Sequence, residues 1–320
     1  MNAVQLINPL VIGVLISQTL QWGTPFVLAA LGGMFSERSG VVNIALEGIM
    51  TMGAWAAVAA TWFTDNPWLG ALASILVGGI IGLVHAVVCV KLKGNQIVSG
   101  TAIILFALGF TAYMIWIIWP GASGVSPGVT PLPEVYIPAF AANPILWLGF
   151  GSQSPIVYIM FLMVPLCWYV LYRTPFGLRL RAAGEDPSAL DTAGVSVDKM
   201  RIYGVLLSGC LAGLAGAYLS IGIGSTFGKN MVAGRGFVAL AALIFGNWTP
   251  VGCFLAGTFF GFLYSLSYVV QIAPGLTWLI GYNSFIQMIP YAAVIVALAI
   301  IRRSVPPKAI GAPYIKERQQ

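Results

Sequence analysis

The feature that most constrains the fold is a series of long apolar segments with almost no charged residue. An α-helix needs about 20 consecutive apolar residues to cross the hydrocarbon core of a bilayer. The segments of about that length are 7–33, 41–63, 68–90, 97–119, 155–172, 202–223, 251–270 and 284–301. A shorter one lies at 236–248. The sequence therefore predicts about nine transmembrane helices, within a range of about eight to ten.

The low charge content supports this interpretation. Only 8% of the residues are charged and 59% are apolar, whereas soluble domains carry about 25% charged residues. Such a chain could not cover its surface in water, so lipid is the expected solvent. Only helices and closed barrels satisfy the backbone in lipid, and barrel strands of about ten alternating residues do not match these runs. The predicted fold class is all-α, a polytopic integral membrane protein with one transmembrane domain over 1–320.

Lysine and arginine are unevenly distributed and predict the orientation. If the segment ends at 91–96, 173–201 and 302–320 lie in the cytoplasm, 13 of the 15 basic residues are inside. These are Arg38, Lys91, Lys93, Arg173, Arg179, Arg181, Lys199, Arg201, Arg302, Arg303, Lys308, Lys316 and Arg318. Only Lys229 and Arg235 would lie outside. The positive-inside rule then predicts an external N-terminus and a cytoplasmic tail over 302–320.

The net charge of +6 is therefore interpreted as a signal of topology. The basic residues flank apolar segments and form no interleaved patch, so nucleic acid is not an expected partner. No basic region precedes the first apolar run, so no cleavable signal peptide is predicted. The four cysteines have no metal-ligand spacing and no metal site is predicted. The one histidine, His85, is expected to be structural.

Two loops interrupt the apolar pattern. The external loop 120–154 is rich in proline, glycine and aromatic residues, and Glu134 is its only charge. Its aromatic residues are expected either to form a belt at the membrane interface or to receive an external partner. The cytoplasmic loop 173–201 holds nine of the 24 charges of the chain, five basic and four acidic.

The cytoplasmic loop contains the signature of a short helix. Asp186 can cap free backbone N–H groups, and Pro187 is tolerated at the first helical position. Gly194 suits the left-handed residue after a helix end. The stretch "PSALDTA" is thus predicted to form a helix of about two turns, which is marginal alone in water. It is either an ordinary solvated loop helix or a docking element for another protein.

Polar residues inside the second apolar run form the first candidate site. Asn43, Glu47 and Thr51 are spaced i, i+4 and share one helix face. A charge at mid-membrane costs about 2.5–3.5 kcal/mol on insertion scales. Glu47 therefore either joins helices through hydrogen bonds or lines a translocation path, and both alternatives stay open at this point. The further pathway candidates are Asn95, Gln96, Arg235, Phe237 and Asn247.

A second interrupted region, "MVAGRGFVALAALIFGNWTPVG", covers 231–252. A short apolar run flanked by glycine in each half of a chain indicates a pathway built from two halves. The predicted topology places Arg235 at the outer edge and Glu47 in the inner third. A direct pair between them is therefore not expected unless 231–248 is re-entrant.

Glycines four residues apart predict close helix contacts. The three pairs are Gly78 and Gly82, Gly209 and Gly213, and Gly257 and Gly261. Small residues at this spacing let membrane helices approach each other. The spacing does not distinguish contacts within one chain from contacts between chains.

Four motifs together resemble a known family. They are "ERSGVVNIALEGIMTMGAW", "KLKGNQIVSGTAIILFALG", "FGLRLRAAGEDPSALDTAGVSVDKMR" and "AGRGFVALAALIFGNWTPVG". Their order and their spread over about 35 to 301 resemble the permease subunits of ABC importers. Within these, the chain resembles the branched-chain amino acid and ribose-type family, most of all its nucleoside or simple-sugar branch.

The resemblance implies several partners. A second permease would complete the pathway, as a homodimer or a heterodimer, and an external binding protein would deliver the substrate. A cytoplasmic ATPase would bind a coupling helix and would hold the ATP, so no cofactor is expected on this chain, which has no phosphate-binding G-x-x-x-x-G-K-[ST] motif. The implied coupling residues are Glu185, Asp186, Pro187, Ser188, Asp191, Ala193 and Gly194. The implied location is a bacterial cytoplasmic membrane.

Two other classes are less well supported. An ion-coupled secondary transporter needs ionisable groups near the midplane, and few besides Glu47 are available. A membrane-embedded enzyme needs a clustered nucleophile, base or metal set. The chain is therefore interpreted as a non-catalytic subunit, with a branched-chain amino acid as the alternative substrate to a nucleoside or sugar.

Overall fold

The computed structural model describes residues 9–272, 281–300 and 305–315, and these are mostly helical. The helices are α1 Pro9–Arg38, α2 Leu46–Thr64, α3 Pro67–Ala86, α4 Gln96–Ile118, α5 Pro144–Leu146, α6 Pro155–Arg173, α7 Pro175–Glu185, α8 Pro187–Thr192, α9 Val197–Ala217, α10 Arg235–Phe245, α11 Pro250–Ile272 and α12 Asn283–Ile300. Strands β1 Val135–Tyr136 and β2 Ser152–Gln153 form one antiparallel pair.

The described helices support a membrane protein with several spans. Six of them are long and apolar enough to cross a bilayer: α1, α3, α4, α6, α9 and α11, with α3 and α9 each extended by one π-helical turn. Helices α10 and α12 are apolar but shorter. Each of the nine predicted segments contains one helix, whereas the count of nine crossings and the orientation of the termini stay predictions.

Helices α1 and α9 form the centre of the bundle. Helix α1 packs along α9, α10 and α11, and α9 also packs against α2 and α3. The middle of α1 is fully buried, as at Phe26 and Leu28. By contrast, α3 and α4 expose rows of large apolar side chains such as Leu76 and Phe106. Lipid is the expected contact of such faces in a membrane protein.

The predicted glycine contacts occur within the chain. Gly78 of α3 lies against α9, and a Cβ added there would stand 2.4 Å from the carbonyl oxygen of Gly209. A Cβ added at Gly261 of α11 would stand 2.5 Å from Cα of Gly23 in α1. Both pairs of helices thus approach to backbone contact, as small residues permit in membrane bundles.

The two ends of the bundle differ in character. The loop end carries 120–154, where β1, β2 and α5 lie and where the backbone N–H of Ser126 donates to the carbonyl of Phe227 (2.8 Å). The charged end is where α1 finishes at Arg38, where α7 and α8 lie, and where the tail 305–315 packs. The predicted basic residues Arg302, Arg303, Lys316 and Arg318 lie outside the described residues.

The short helix predicted in loop 173–201 is present as α8. The Asp186 carboxylate accepts the backbone N–H of Ala189 (3.0 Å), and Gly194 adopts a left-handed φ of +78°. The preceding helix α7 was not predicted, because "PFGLRLRAAGE" contains two glycines and three charges. It begins at a threonine cap, since Thr174 accepts the N–H of Gly177 (3.2 Å).

Candidate functional site

The predicted polar stripe meets the start of a short helix inside the bundle. Glu47 is 4% exposed and lies in the first turn of α2. Its carboxylate accepts two backbone N–H groups, from Gly234 to Oε1 (2.7 Å) and from Gly236 to Oε2 (2.6 Å). These donors stand at the N-terminus of α10, where helix N–H groups lack internal partners and the dipole favours a negative charge. Glu47 thus fastens α10 to α2.

Glycine is required on both sides of Arg235 for this contact. Gly234 has a φ of +85°, which side chains disfavour. A Cβ on Gly236 would stand 2.5 Å from Cα of Glu47. The sequence Gly-Arg-Gly therefore lets the backbone of α10 reach the carboxylate directly.

The prediction that Arg235 and Glu47 lie at different depths is wrong. The chain returns into the bundle after α9, so Gly234, Arg235 and Gly236 reach the level of Glu47. Arg235 forms no salt bridge to Glu47 among the described residues. Its guanidinium lies over the rings of Trp22 (5.1 Å) and Tyr264 (6.0 Å) and donates to the carbonyl of Met231 (2.7 Å). Aromatic faces and carbonyls thus compensate for the partial burial of this cation.

The neighbouring stripe residues are buried contacts between and within helices. Asn43 donates from Nδ2 to Oγ of Ser208 in α9 (2.8 Å), while its buried Oδ1 has no hydrogen-bond partner among the described residues. The hydroxyl of Thr51 donates to the carbonyl of Glu47 in its own helix (2.8 Å). Both side chains are at most 1% exposed in the protomer. The contact of Asn43 with α9 favours the interpretation that the stripe joins helices, whereas that of Thr51 stays within α2.

The contact of Glu47 with Gly234 and Gly236 is called the Glu47 junction below, and an exposed aromatic face lies beside it. Phe237, one turn into α10, is 48% exposed. Helix α12 exposes Phe285 and Tyr291. The hydroxyl of Tyr291 donates to the carbonyl of Ala233 (3.3 Å), so α12 and the start of α10 are adjacent. The exposed part of the predicted pathway set is therefore aromatic.

Three other pathway candidates lie at the charged end. Asn95 caps α4 and accepts the N–H of Ile97 (2.9 Å), and Gln96 accepts the N–H of Val42 (2.7 Å). Asn247 follows α10, is exposed and accepts the N–H of Val305 (2.9 Å). The structure thus brings together Asn43, Glu47, Arg235 and Phe237 but separates Asn95, Gln96 and Asn247 from them. A pathway role for each stays a prediction.

The implied coupling residues form one exposed corner of the charged end. Glu185 ends α7 and lies 3.8 Å from Nη1 of Arg38. Asp186 accepts the hydroxyl of Ser188 (2.6 Å) as well as the N–H of Ala189. These two donors hold the pKa of Asp186 below its usual range, in that order of effect. The carboxylate is therefore ionised at neutral pH.

The remaining residues of this corner shape its surface. Pro187 opens α8 at the position that needs no N–H donor. Ala193 closes α8, with its N–H donating to the carbonyl of Ala189 (3.2 Å). Asp191 and Gly194 line a groove beside Tyr314 of the tail.

Comparison with known proteins places the chain in a family. The family model described as "Branched-chain amino acid transport system / permease component" matches residues 15–301. The chain belongs to this permease family. The resemblance inferred from the four motifs is thus confirmed.

Two named relatives match this permease over nearly its full length, and a third matches over most of it. It is 39% identical to the guanosine ABC transporter permease protein NupQ of Bacillus subtilis, over 97% of this chain and 98% of that one. It is 37% identical to the nucleoside ABC transporter permease protein NupC of Lactococcus lactis, over 95% and 98%. It is also 36% identical to a putative glucose ABC transporter permease protein, TsgC13, of Haloferax volcanii, over 79% and 76%.

Several contacts of this permease were missed in the sequence. Arg38 donates from Nε to the carbonyl of Trp248 (2.9 Å), and Trp248 donates from Nε1 to Glu37 (2.6 Å). Arg201, which is 2% exposed, donates to the carbonyl of Ala312 in the tail (2.7 Å). Glycine on both sides of Arg235 was a usable signal for the α10 contact. No local signal marks the other contacts, because their partners are more than 100 residues apart.

Proposed function

We propose that this chain is the permease subunit of an ABC importer that takes up a nucleoside. The observation that carries the proposal is the similarity over nearly the whole chain to two relatives named for guanosine and for nucleosides. The chain would be the transmembrane pathway and not the ATPase. ATP would be bound by a separate subunit.

The exposed aromatic face supports a flat, weakly charged substrate. Phe237, Phe285 and Tyr291 offer rings on which a nucleobase can stack, an interaction worth about 1–3 kcal/mol per base in nucleic-acid binding proteins. The carboxylate of Glu47 is occupied by two backbone N–H groups, so it is not available as a fixed ion-coupling group in this state. This arrangement favours an ATP-driven importer over an ion-coupled transporter.

The partners follow from this proposal. The ATPase would dock on α8 and the groove beside it, which form an exposed corner rich in charge. A second permease, identical or related, would stand opposite the exposed face of α10 and α12, so that the pathway runs between the two subunits. A binding protein would deliver the nucleoside at the loop end. A bacterial cytoplasmic membrane, with α8 inside, is the location that this assembly requires.

Uptake by cells tests the substrate. The gene is deleted in its host, and uptake of radiolabelled guanosine, adenosine, ribose, glucose and leucine is compared with that of the parent strain. We expect nucleoside uptake to fall and to return with the intact gene. A selective loss of glucose or leucine uptake would instead assign the sugar or amino acid branch and overturn the nucleoside proposal.

Cysteine labelling tests the orientation. Ser123 at the loop end and Ala189 in α8 are both exposed. In intact cells an impermeant thiol reagent is expected to label Ser123→Cys and not Ala189→Cys, while inverted vesicles stripped of ATPase should show the reverse. Labelling of Ala189→Cys from outside would show that α8 is external, and an ATPase in the cytoplasm could then not dock on it.

A further inference from the structure

The junction at Glu47 and the corner at α8 are connected by one short helix. Helix α10 has 11 residues and is therefore about 16 Å long at 1.5 Å per residue. Its N-terminus is held by Glu47, and its C-terminal end lies at the charged end, beside Arg38. Because the helix is short, a displacement of its C-terminal end is expected to move its N-terminal end relative to Glu47.

The turn after α10 is held in a constrained conformation. Asn247 and Trp248 have φ values of +50° and +52°, in the region that favours glycine. Non-glycine residues stay there only when their surroundings fix them. The carbonyl of Trp248 accepts from Arg38, its indole N–H binds Glu37, and the side chain of Asn247 accepts from Val305.

Arg38 connects this turn to the α8 corner. Its Nε donates to Trp248 and its Nη1 lies 3.8 Å from Glu185, the last residue before the Asp186 cap. The tail supplies a parallel link, because the N–H of Val305 donates to Asn247 and that of Lys308 to Glu185 (3.4 Å). The side chain of Arg38 is 15% exposed and that of Glu185 is 43% exposed, so the link runs from the surface of the corner into the bundle.

We propose that Arg38 is a positioning residue that transmits movement of the α7–α8 corner through Trp248 and α10 to the Glu47 junction. The proposal rests on the proposed function, because the movement originates in a docked ATPase. Among the described residues the route consists of Glu185, Arg38, Trp248, α10 and Glu47, and each step is a contact described above. Substrate access at Phe237 and Ala233 would then follow the state of the ATPase.

The test measures the movement and not only transport. Ala233, adjacent to Gly234, is exposed, so Ala233→Cys reports on the start of α10. Its rate of labelling is measured by mass spectrometry in the whole transporter, with and without ATP. The variant Arg38→Met keeps an unbranched side chain that can fill the same channel but removes the guanidinium, and with it the hydrogen bond to Trp248 and the charge that faces Glu185.

Lys91→Met is the matched control. It removes the Lys91–Asp198 salt bridge (3.0 Å), which is also at the charged end and is the other ion pair within the described part of the chain. Within the described part of the chain, neither side chain of that pair forms a hydrogen bond or an ion pair with α10. In the otherwise unaltered transporter and in Lys91→Met, labelling of Ala233→Cys is expected to change with ATP. In Arg38→Met the ATPase stays bound, the labelling becomes independent of ATP, and uptake falls by roughly 5–150-fold, the range of typical coupling between sites.

The other outcomes overturn the proposal. The proposal is wrong if the labelling of Ala233→Cys still changes with ATP in Arg38→Met. It is also wrong if Lys91→Met loses the ATP response equally, or if the unaltered transporter shows no ATP response. If Arg38→Met does not accumulate, Glu185→Gln weakens the same link from its exposed side and is interpreted in the same way. Nucleoside uptake by the unaltered transporter is measured separately. If the proposed function is wrong, this uptake is absent. If only the relay is wrong, uptake is present and Arg38→Met does not change the ATP response of Ala233→Cys labelling.

Discussion

The protein uses a carboxylate at a helix N-terminus twice, in opposite surroundings. Glu47 is buried and accepts two N–H groups of α10, about 190 residues further along the chain. Asp186 is exposed and accepts the N–H of Ala189 in the same short helix. The chemistry is shared, but Asp186 stabilises one local turn, whereas Glu47 joins two distant parts of the bundle. The same interaction therefore has a different weight depending on burial and on what it connects.

The largest effect is expected from Glu47→Leu. The variant removes the acceptor of the buried N–H of Gly236 and of the partly buried N–H of Gly234. A buried donor left without an acceptor costs about 1–3 kcal/mol. Insertion should not suffer, because a costly membrane charge is removed. For Glu47→Leu we expect normal membrane abundance, a lower thermal midpoint in detergent and strongly reduced uptake. Glu47→Gln keeps one acceptor oxygen, so its thermal midpoint and uptake should lie between those of the unaltered protein and Glu47→Leu.

Thr51→Val is the control for this prediction. It is one turn further along α2 and also buried, and its hydroxyl donates a hydrogen bond to the carbonyl of Glu47 in the same helix. Uptake and thermal midpoint are expected to stay close to those of the unaltered protein. Equal behaviour of Glu47→Leu and Thr51→Val would show that the buried contact with α10 has no special weight.

The next effect is expected from Gly236→Ala, which tests the same junction from the other side. The added Cβ would stand 2.5 Å from Cα of Glu47, so α10 must move away from α2. Gly109→Ala in α4 is the matched control, because no atom of the described residues lies within 4 Å of its added Cβ. We expect Gly236→Ala to lose uptake and Gly109→Ala to keep it. Full activity of Gly236→Ala would mean that close contact at the junction is not needed.

The comparison also explains which features could be predicted from sequence. The α8 helix was predicted correctly, because Asp186, Pro187 and Gly194 form a start and stop signal within nine residues. The transmembrane segments were predicted because apolar length is a local property. Glu47 was identified as unusual for the same reason, since a carboxylate within an apolar run is conspicuous.

The partner of Glu47 was not predictable in the same way. The positive-inside rule assigned Arg235 to the outer edge, because the rule treats each basic residue as belonging to a loop. Here the chain re-enters the bundle, and Trp22 and Tyr264 accommodate the guanidinium. Contacts such as that of Arg38 with Trp248 join residues 210 apart and depend on packing, which no local pattern encodes.

A smaller effect is expected at the exposed cap, from the double variant Asp186→Ala with Ala193→Pro. It removes the cap of α8 and the N–H of Ala193 that donates to Ala189. If α8 docks the ATPase, less ATPase should copurify and stimulated hydrolysis should fall, while the permease remains inserted. The control is the single variant Ala193→Ser, which leaves Asp186 unaltered and keeps the backbone N–H at position 193. Unchanged copurification and hydrolysis in the double variant would show that α8 is only a solvated loop helix.

The smallest effect is expected from Asp186→Asn, and it appears only at low pH. The hydroxyl of Ser188 and then the N–H of Ala189 lower the pKa of Asp186 from its ordinary value of 3.8. A carboxylate with a lowered folded-state pKa stabilises above the ordinary value, and this stabilisation is lost as pH falls through the lowered one. Asparagine caps helices about as well but does not titrate in this range. Hydrogen exchange at Ala189 and Leu190, corrected for the intrinsic rate, should therefore be similar in both proteins at neutral pH. Below the ordinary pKa, protection should decline in the unaltered protein but stay constant in Asp186→Asn. Parallel profiles would mean that the ionised cap does not hold α8, and the contrast with Glu47 would then rest on burial alone.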